Sequence, residues 1–246
     1  MTVDSDNDVA SLMAAGQAVR RAFAAMQRAA KPGVSTAELD AIGAPILEAA
    51  GARSAPQHFY EFPGVTCISV NEEAAHGIPG SRLLRLGDMV NIDVSAILDG
   101  YVADMGESFV VGPARPEQAK IIQAVRASVR AALARVRAGR SLNVIGKAVQ
   151  KVADHAGFKI VENLGSHGVG RSIHEQPSYV PLDNPNERRR LERGMVMTIE
   201  PFFTTGPAWV EEQADGWTLC VPKGEMVAQY EQTLIVTDRE PVLVTA

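Results

Sequence analysis

Four acids stand inside apolar stretches of this 246-residue chain. Asp93 ends the run Met89-Val90-Asn91-Ile92, and Glu200 ends Met195-Val196-Met197-Thr198-Ile199. Asp104 falls within Tyr101–Val111, and Glu231 within Ala228–Val236. A strand interior is a costly place for an unpaired carboxylate, which usually neutralises itself there. Any one of these acids could face solvent or pair with an arginine. Four converging acids repel one another, and divalent cations are the compact way to hold them together. His167 lies in Gly165-Ser166-His167-Gly168-Val169-Gly170, where the glycines let the backbone bring an imidazole close to an ion. His76-Gly77-Ile78-Pro79 has an echo in His174-Glu175-Gln176-Pro177, each placing a histidine upstream of a strand acid, by 17 and 26 residues. Two histidines facing a metal centre from opposite sides suit substrate orientation and proton transfer. The pattern is neither the helical HExxH zinc motif nor GxGxxG.

The segments that must position these groups come in two copies. Leu84-Arg85-Leu86-Gly87 leads to Asp93 as Leu191-Glu192-Arg193-Gly194 leads to Glu200, at an offset of 107. Upstream, Gly33, Ser35 and Gly51 match Gly139, Ser141 and Gly157 at an offset of 106. These are turn residues, and their agreement with the strand match favours an internal duplication. Each half reads helix, helix, strands. Val9–Ala30 predicts a helix stopped by Lys31-Pro32-Gly33. Ser35 and Glu38 form a capping box for the next helix, which runs to about Ala50. The second half predicts a helix over about Pro116–Ala138, then another capped by Ser141 and stopped at Gly157. Between Met89–Ala96 and Tyr101–Val111, Asp99-Gly100 suits a two-residue type I′ hairpin. Pairing Leu98 with Tyr101 puts Asp104 opposite Ser95, so Asp93 and Asp104 become diagonal neighbours within reach of one ion. The predicted organisation is one α+β domain over 9–246, with halves of about 9–115 and 116–246, behind a flexible N-terminus over 1–8.

A formal net charge of -5 leaves no general basic surface, so no specific nucleic acid partner is expected. Arg188, Arg189, Arg190 and Arg193 read as a solvated helix face. Two cysteines make no disulfide framework and suit a reducing compartment. The polar N-terminus is not a signal peptide, and no apolar run approaches the ~20 residues that span a bilayer. A cytoplasmic protein with no membrane partner is the expectation.

Taken in order, His-Gly-Ile-Pro, Asn-Ile-Asp-Val, an Asp eleven residues later, His-Gly-Val-Gly with His-Glu-x-Pro, Thr-Ile-Glu-Pro and Gln-Tyr-Glu-Gln-Thr resemble type I methionine aminopeptidases from about Val9 to Val244. The resemblance implies the pita-bread fold, two pseudo-twofold-related halves around a curved antiparallel sheet. It also implies two divalent ions (Co, Mn, Fe or Zn) between the halves. Asp93 and Asp104 would serve one ion and His167 and Glu200 the other, with Asp104 and Glu231 bridging. Glu200 would act as base, His76 would contact the scissile amide, and His174 would hydrogen-bond substrate and intermediate. Phe59, Phe62, Cys67 and Trp217 would line the methionine pocket, where apolar, sulfur-tolerant walls suit a thioether. The partners implied are N-terminal methionyl peptides and nascent proteins, met by a monomer in transient contact with the ribosome. Phe59 and Phe62 stand where many members have Tyr, Ser166 where Gly is usual, and Ala75 where Cys is frequent. Two other readings stay open: a hydrolase of the prolidase or Xaa-Pro aminopeptidase kind, and a non-catalytic binding module of the same fold.

Overall fold

The computed structural model describes residues 1–246. Five helices appear: α1 (Asp6–Ala29), α2 (Thr36–Ala49), α3 (Ala55–Tyr60), α4 (Pro116–Leu133) and α5 (Asn143–Ala156). The capping box predicted at Ser35 and Glu38 opens α2. A second box, Ser5 with Asp8, starts α1 three residues before Val9. The first eight residues are therefore not the free segment expected. Val196 N–H donates to the Met1 carbonyl, Val3 N–H donates to Gly194, and the Met1 amino group meets Glu175. Polarity suggested a loose end, whereas here the polar groups are capping and pairing groups. Ser141 differs too. Its hydroxyl accepts from Asn143 N, but a tight turn through Leu142 intervenes and α5 begins at Asn143. The arginine run is not helical: Arg189 pairs with Glu187, Arg190 donates to the Gly139 carbonyl, and Arg193 meets Asp238.

Both halves tie the turn between their helices to the loop before the acid-bearing strand by corresponding hydrogen bonds. Gly33 N–H donates to Leu84 O as Gly139 donates to Leu191 O. Thr36 to Arg82 matches Leu142 to Arg189, and Gly87 to Val111 matches Gly194 to Val236. One apolar cluster of 29 buried residues joins α1 and α2 to the first half's strands, and one of 21 joins α4 and α5 to the second half's. Each half thus covers its own sheet with a helix pair, and the first cluster runs across the seam to take in Val169, Ile173, Val196 and Ile235 of the second half.

All strand pairs are antiparallel. The hairpin of Met89–Leu98 and Tyr101–Val110 has the predicted register, Leu98 opposite Tyr101 and Ser95 opposite Asp104. Asp99 (φ 50) and Gly100 (φ 79) make its left-handed turn, as type I′ geometry requires. In the second half, Val196–Ile199 and Phe202–Thr204 run opposite Gln232–Ile235 and Val227–Gln229. The unbroken strand predicted over Ala228–Val236 is interrupted at Tyr230-Glu231, and its partner at Glu200-Pro201. Ile199 pairs with Gln232 and Phe202 with Gln229, so the same register carried through the gap sets Glu200 across from Glu231. Pro201 has no N–H to give the ladder. Glu231 turns its own N–H to Gly106 O, and Tyr230 bridges to Glu107. The break therefore stitches one half to the other and leaves two acids at the seam.

Candidate metal centre and active site

The hairpin supplies the first two acids. Asp93 and Asp104 are diagonal neighbours on one face of the hairpin, and Ser95 Oγ donates to Asp104 Oδ1 at 2.7 Å. Asp104 is buried, and Thr233 Oγ1 accepts from its backbone N at 3.0 Å. The second half supplies the rest. His167 Nε2 lies 3.1 Å from Glu200 Oε1 and 3.8 Å from Asp104 Oδ2. Its Nδ1 is 3.0 Å from the Gly168 carbonyl, which can take the Nδ1 proton and leave the Nε2 lone pair for a cation. Thr198 Oγ1 accepts from His167 N–H and donates to Glu200 Oε1 at 2.7 Å. Ser166 Oγ accepts from Glu200 N at 3.0 Å and so ties the acid's backbone to the strand that carries His167.

Glu231 is fully buried, and its Oε1 has no hydrogen-bond partner. Gln229 spans the acids: its Nε2 is 3.3 Å from Glu231 Oε2 and 3.4 Å from Glu200 Oε2, while Asn91 Nδ2 donates to its Oε1 at 2.8 Å. Donor atoms of Asp104, His167 and Glu231 all lie within 4.8 Å of one another. Burial, followed by the neighbouring carboxylates, pushes Asp93 and Glu231 well above the usual acid range. Burial also lifts Asp104, to about 6, against the pull of His167. Burial would lower His167, but Glu200 and Asp104 override it and raise the imidazole to about 9. The groups are thus held at an unfavourable separation of charge and proton that a divalent cation would relieve. The orphaned Glu231 oxygen and the mixed carboxylate–imidazole donors fit such an ion.

Two adjoining cavities open on this cluster. One, of about 420 Å³, is lined by His76, Asp93, His167, His174 and Glu200 among others. His76 sits at φ 56, a left-handed conformation uncommon for a side-chain-bearing residue. Gly77 beside it presses on the Cys67–Val70 strand, where an added Cβ would lie 2.3 Å from Ile68 O. Burial lowers the pKa of His76, and burial with nearby His167 and His76 lowers His174 to about 4. In both, burial favours the neutral ring. The loop carrying His174 is pinned by Glu175, whose Oε1 accepts from Arg171 N and Ser172 N at 2.6 and 2.8 Å.

The second cavity, of about 320 Å³, adds an apolar wall of Phe62, Cys67, Ile173 and Trp217 to the same acids. Phe62 meets Trp217 edge-on, with centroids 5.1 Å apart. Burial, then Asp93, keeps Cys67 a thiol. Phe59 is not part of this wall. It packs against the first half's core, because α3 turns it inward and presents the next residue, Tyr60, to the cavity. The structure therefore gathers Asp93, Asp104, His167, Glu200, Glu231, His76, His174, Phe62, Cys67 and Trp217, and leaves Phe59 out. It adds Tyr60, Ile173, Ser95, Thr198, Asn91 and Gln229. The last four carried a signal: Asn91 and Ser95 flank Asp93, Thr198 precedes Glu200, and Gln229 precedes Glu231, each by the two-residue period of a strand face.

The profile of metallopeptidase family M24 matches residues 10–238. "Methionine aminopeptidase 2" of Bacillus subtilis (strain 168) is 42% identical over 247 residues, covering 100% of this chain and 99% of that protein. The crystal structure of methionine aminopeptidase from Rickettsia prowazekii superposes with a TM-score of 0.95 at 30% identity, covering 100% of both chains. The prolidase from Pyrococcus furiosus gives a TM-score of 0.80 at 21% identity, with 65% of its length covered, a likeness of fold alone. These neighbours identify the architecture as the pita-bread fold.

Proposed function

The chain belongs to metallopeptidase family M24, and on that premise we propose that it removes the N-terminal methionine from peptides and nascent proteins. The observation that carries the reading is the buried set of acids and imidazole, with its orphaned Glu231 oxygen, opening directly on an apolar, thiol-containing cavity.

Asp93 and Asp104 would hold one divalent ion, His167 and Glu200 a second, with Asp104 and Glu231 shared; Mn, Fe, Co and Zn all suit such donors. Bound there, the ions supply Lewis acidity and make water a nucleophile at neutral pH. Glu200, held by Thr198 and Gln229, receives the proton of the attacking water. His76 and His174, whose burial favours the neutral ring, donate to the scissile amide and to the carbonyl oxygen as charge develops on it. Phe62, Cys67 and Trp217 enclose the methionine side chain. No helix is long and apolar enough to cross a membrane. Work on nascent proteins would place the enzyme in the cytoplasm, as a monomer in transient contact with the ribosome.

The test is a peptide panel with added Mn²⁺, Fe²⁺, Co²⁺ or Zn²⁺. Release of methionine from Met-Ala-Ser is the expected result. Cleavage of X-Pro peptides alone would move the chain to the prolidase reading. No bound metal and no turnover with any metal would make it a binding module.

A further inference from the structure

Tyr60 ends α3 and is 44% exposed, the usual profile of a surface aromatic. Yet its hydroxyl lies 2.7 Å from His174 Nδ1, across 114 residues of sequence and across the seam between the halves. The two rings also touch, with centroids 5.4 Å apart and planes at 41°. His174 forms no other hydrogen bond, whereas His167 has the Gly168 carbonyl to orient it. Glu61, just after Tyr60, is left-handed at φ 57, so the chain turns sharply once the phenol has been delivered.

A phenol donates readily, and a neutral imidazole has one nitrogen to accept. With Nδ1 accepting from Tyr60, the ring proton must sit on Nε2. That leaves one N–H donor on the free edge of the ring, beside the cavity that His174 lines with His76 and Glu200. The opposite tautomer would present a lone pair to a developing oxyanion and repel it.

We propose that Tyr60 is a positioning residue for His174: its hydroxyl holds the imidazole as the Nε2–H tautomer and aims that proton at the substrate carbonyl. The inference rests on the aminopeptidase reading of His174. It adds a residue that the apolar description of the pocket would treat as wall.

The experiment uses the metal-loaded full chain and Met-Ala-Ser. Tyr60→Phe keeps the ring and removes only the donor. One net hydrogen bond predicts a kcat lower by about 3- to 10-fold with KM nearly unchanged. In a His174→Ala background, Tyr60→Phe should cost nothing further. Losses that multiply, or a raised KM with kcat intact, would overturn the proposal and return Tyr60 to the wall. Imidazole ¹⁵N NMR gives a readout apart from turnover: His174 should be protonated at Nε2 in the parent and mixed in Tyr60→Phe. A parent protein protonated at Nδ1 contradicts the proposal whatever its activity. A parent that never releases methionine, yet shows the Nε2–H signal, sinks the functional reading and leaves the Tyr60–His174 assignment standing.

Discussion

Glu200 and Glu231 stand opposite each other where both of their strands break, and the Gln229 amide nitrogen reaches one oxygen of each, at 3.4 and 3.3 Å. Two carboxyls so placed favour having a proton or a cation between them. The Glu231 oxygen without a hydrogen-bond partner is free to ligate such a cation.

Replacing Glu231 with Gln should lower metal affinity by roughly 10–100-fold or more, in line with losses around metal sites generally. The metal-free variant should also melt at a higher temperature than the metal-free parent, because it no longer buries an acid whose ionisation is suppressed. Elemental analysis after desalting and thermal melts without metal measure both. Full retention of metal by Glu231→Gln would remove Glu231 from the donor set.

Metal uptake should release protons. In the metal-free protein Asp104 is lifted from 3.8 to about 6 and His167 from 6.5 to about 9. Each raised group contributes stability that is fully present below its unfolded pKa and lost as pH rises through the folded one. His174, lowered from 6.5 to about 4, works the other way: its contribution is present above 6.5 and fades as pH falls toward 4. A cation must displace the proton on His167, so affinity should climb between pH 6 and 9. Calorimetric titration in buffers of different ionisation enthalpy reads the proton count, and pH-independent binding with no proton release would contradict it.

Gly106 and Gln229 should be coupled. A Cβ at Gly106 would lie 2.3 Å from Gln229 Oε1, the side chain that donates to Glu200 and Glu231. Gly106→Ala should therefore destabilise by about 1–3 kcal/mol through overpacking. Trimming the neighbour in Gly106→Ala/Gln229→Ala should recover much of that stability but not the metal affinity, since the acids lose their shared donor. Thermal melts beside metal titrations separate the two effects, and equal recovery of both would refute the role given to Gln229.

Phe59 and Trp217 should divide along the line the structure draws. Trp217→Ala opens the cavity wall and should raise KM for Met-Ala-Ser roughly tenfold, the scale of a lost aromatic contact. Phe59→Ala should lower Tm and leave KM unchanged, because Phe59 packs on the core. A raised KM in Phe59→Ala with Tm intact would restore Phe59 to the pocket.

Periodicity and turn chemistry made much of this legible. Ser35 with Glu38, and Asp99-Gly100, are local signals whose meaning does not depend on the rest of the chain, and both elements formed as read. The hairpin then carried Asp104 opposite Ser95 without further information. Long-range events were not legible. Glu231 leaves its strand because Gly106, 125 residues earlier, offers a carbonyl. Tyr60 rather than Phe59 reaches the cavity because of where α3 ends, and adjacent aromatics look alike in sequence. The first residues looked loose because a capping box and an unpaired edge read alike when only polarity is counted.

The bond from Glu231 to Gly106 also bears on ancestry. By the repeat's own alignment Asp93 corresponds to Glu200, but Gly106 corresponds to Glu231 and Asp104 to Gln229. A symmetric pair of identical half-chains could offer Asp93 twice and Asp104 twice. It could not offer a carboxylate on one side and, facing it, the hollow that Gln229 fills. The donor set therefore needs two halves that differ, which a chain carrying both copies can change separately.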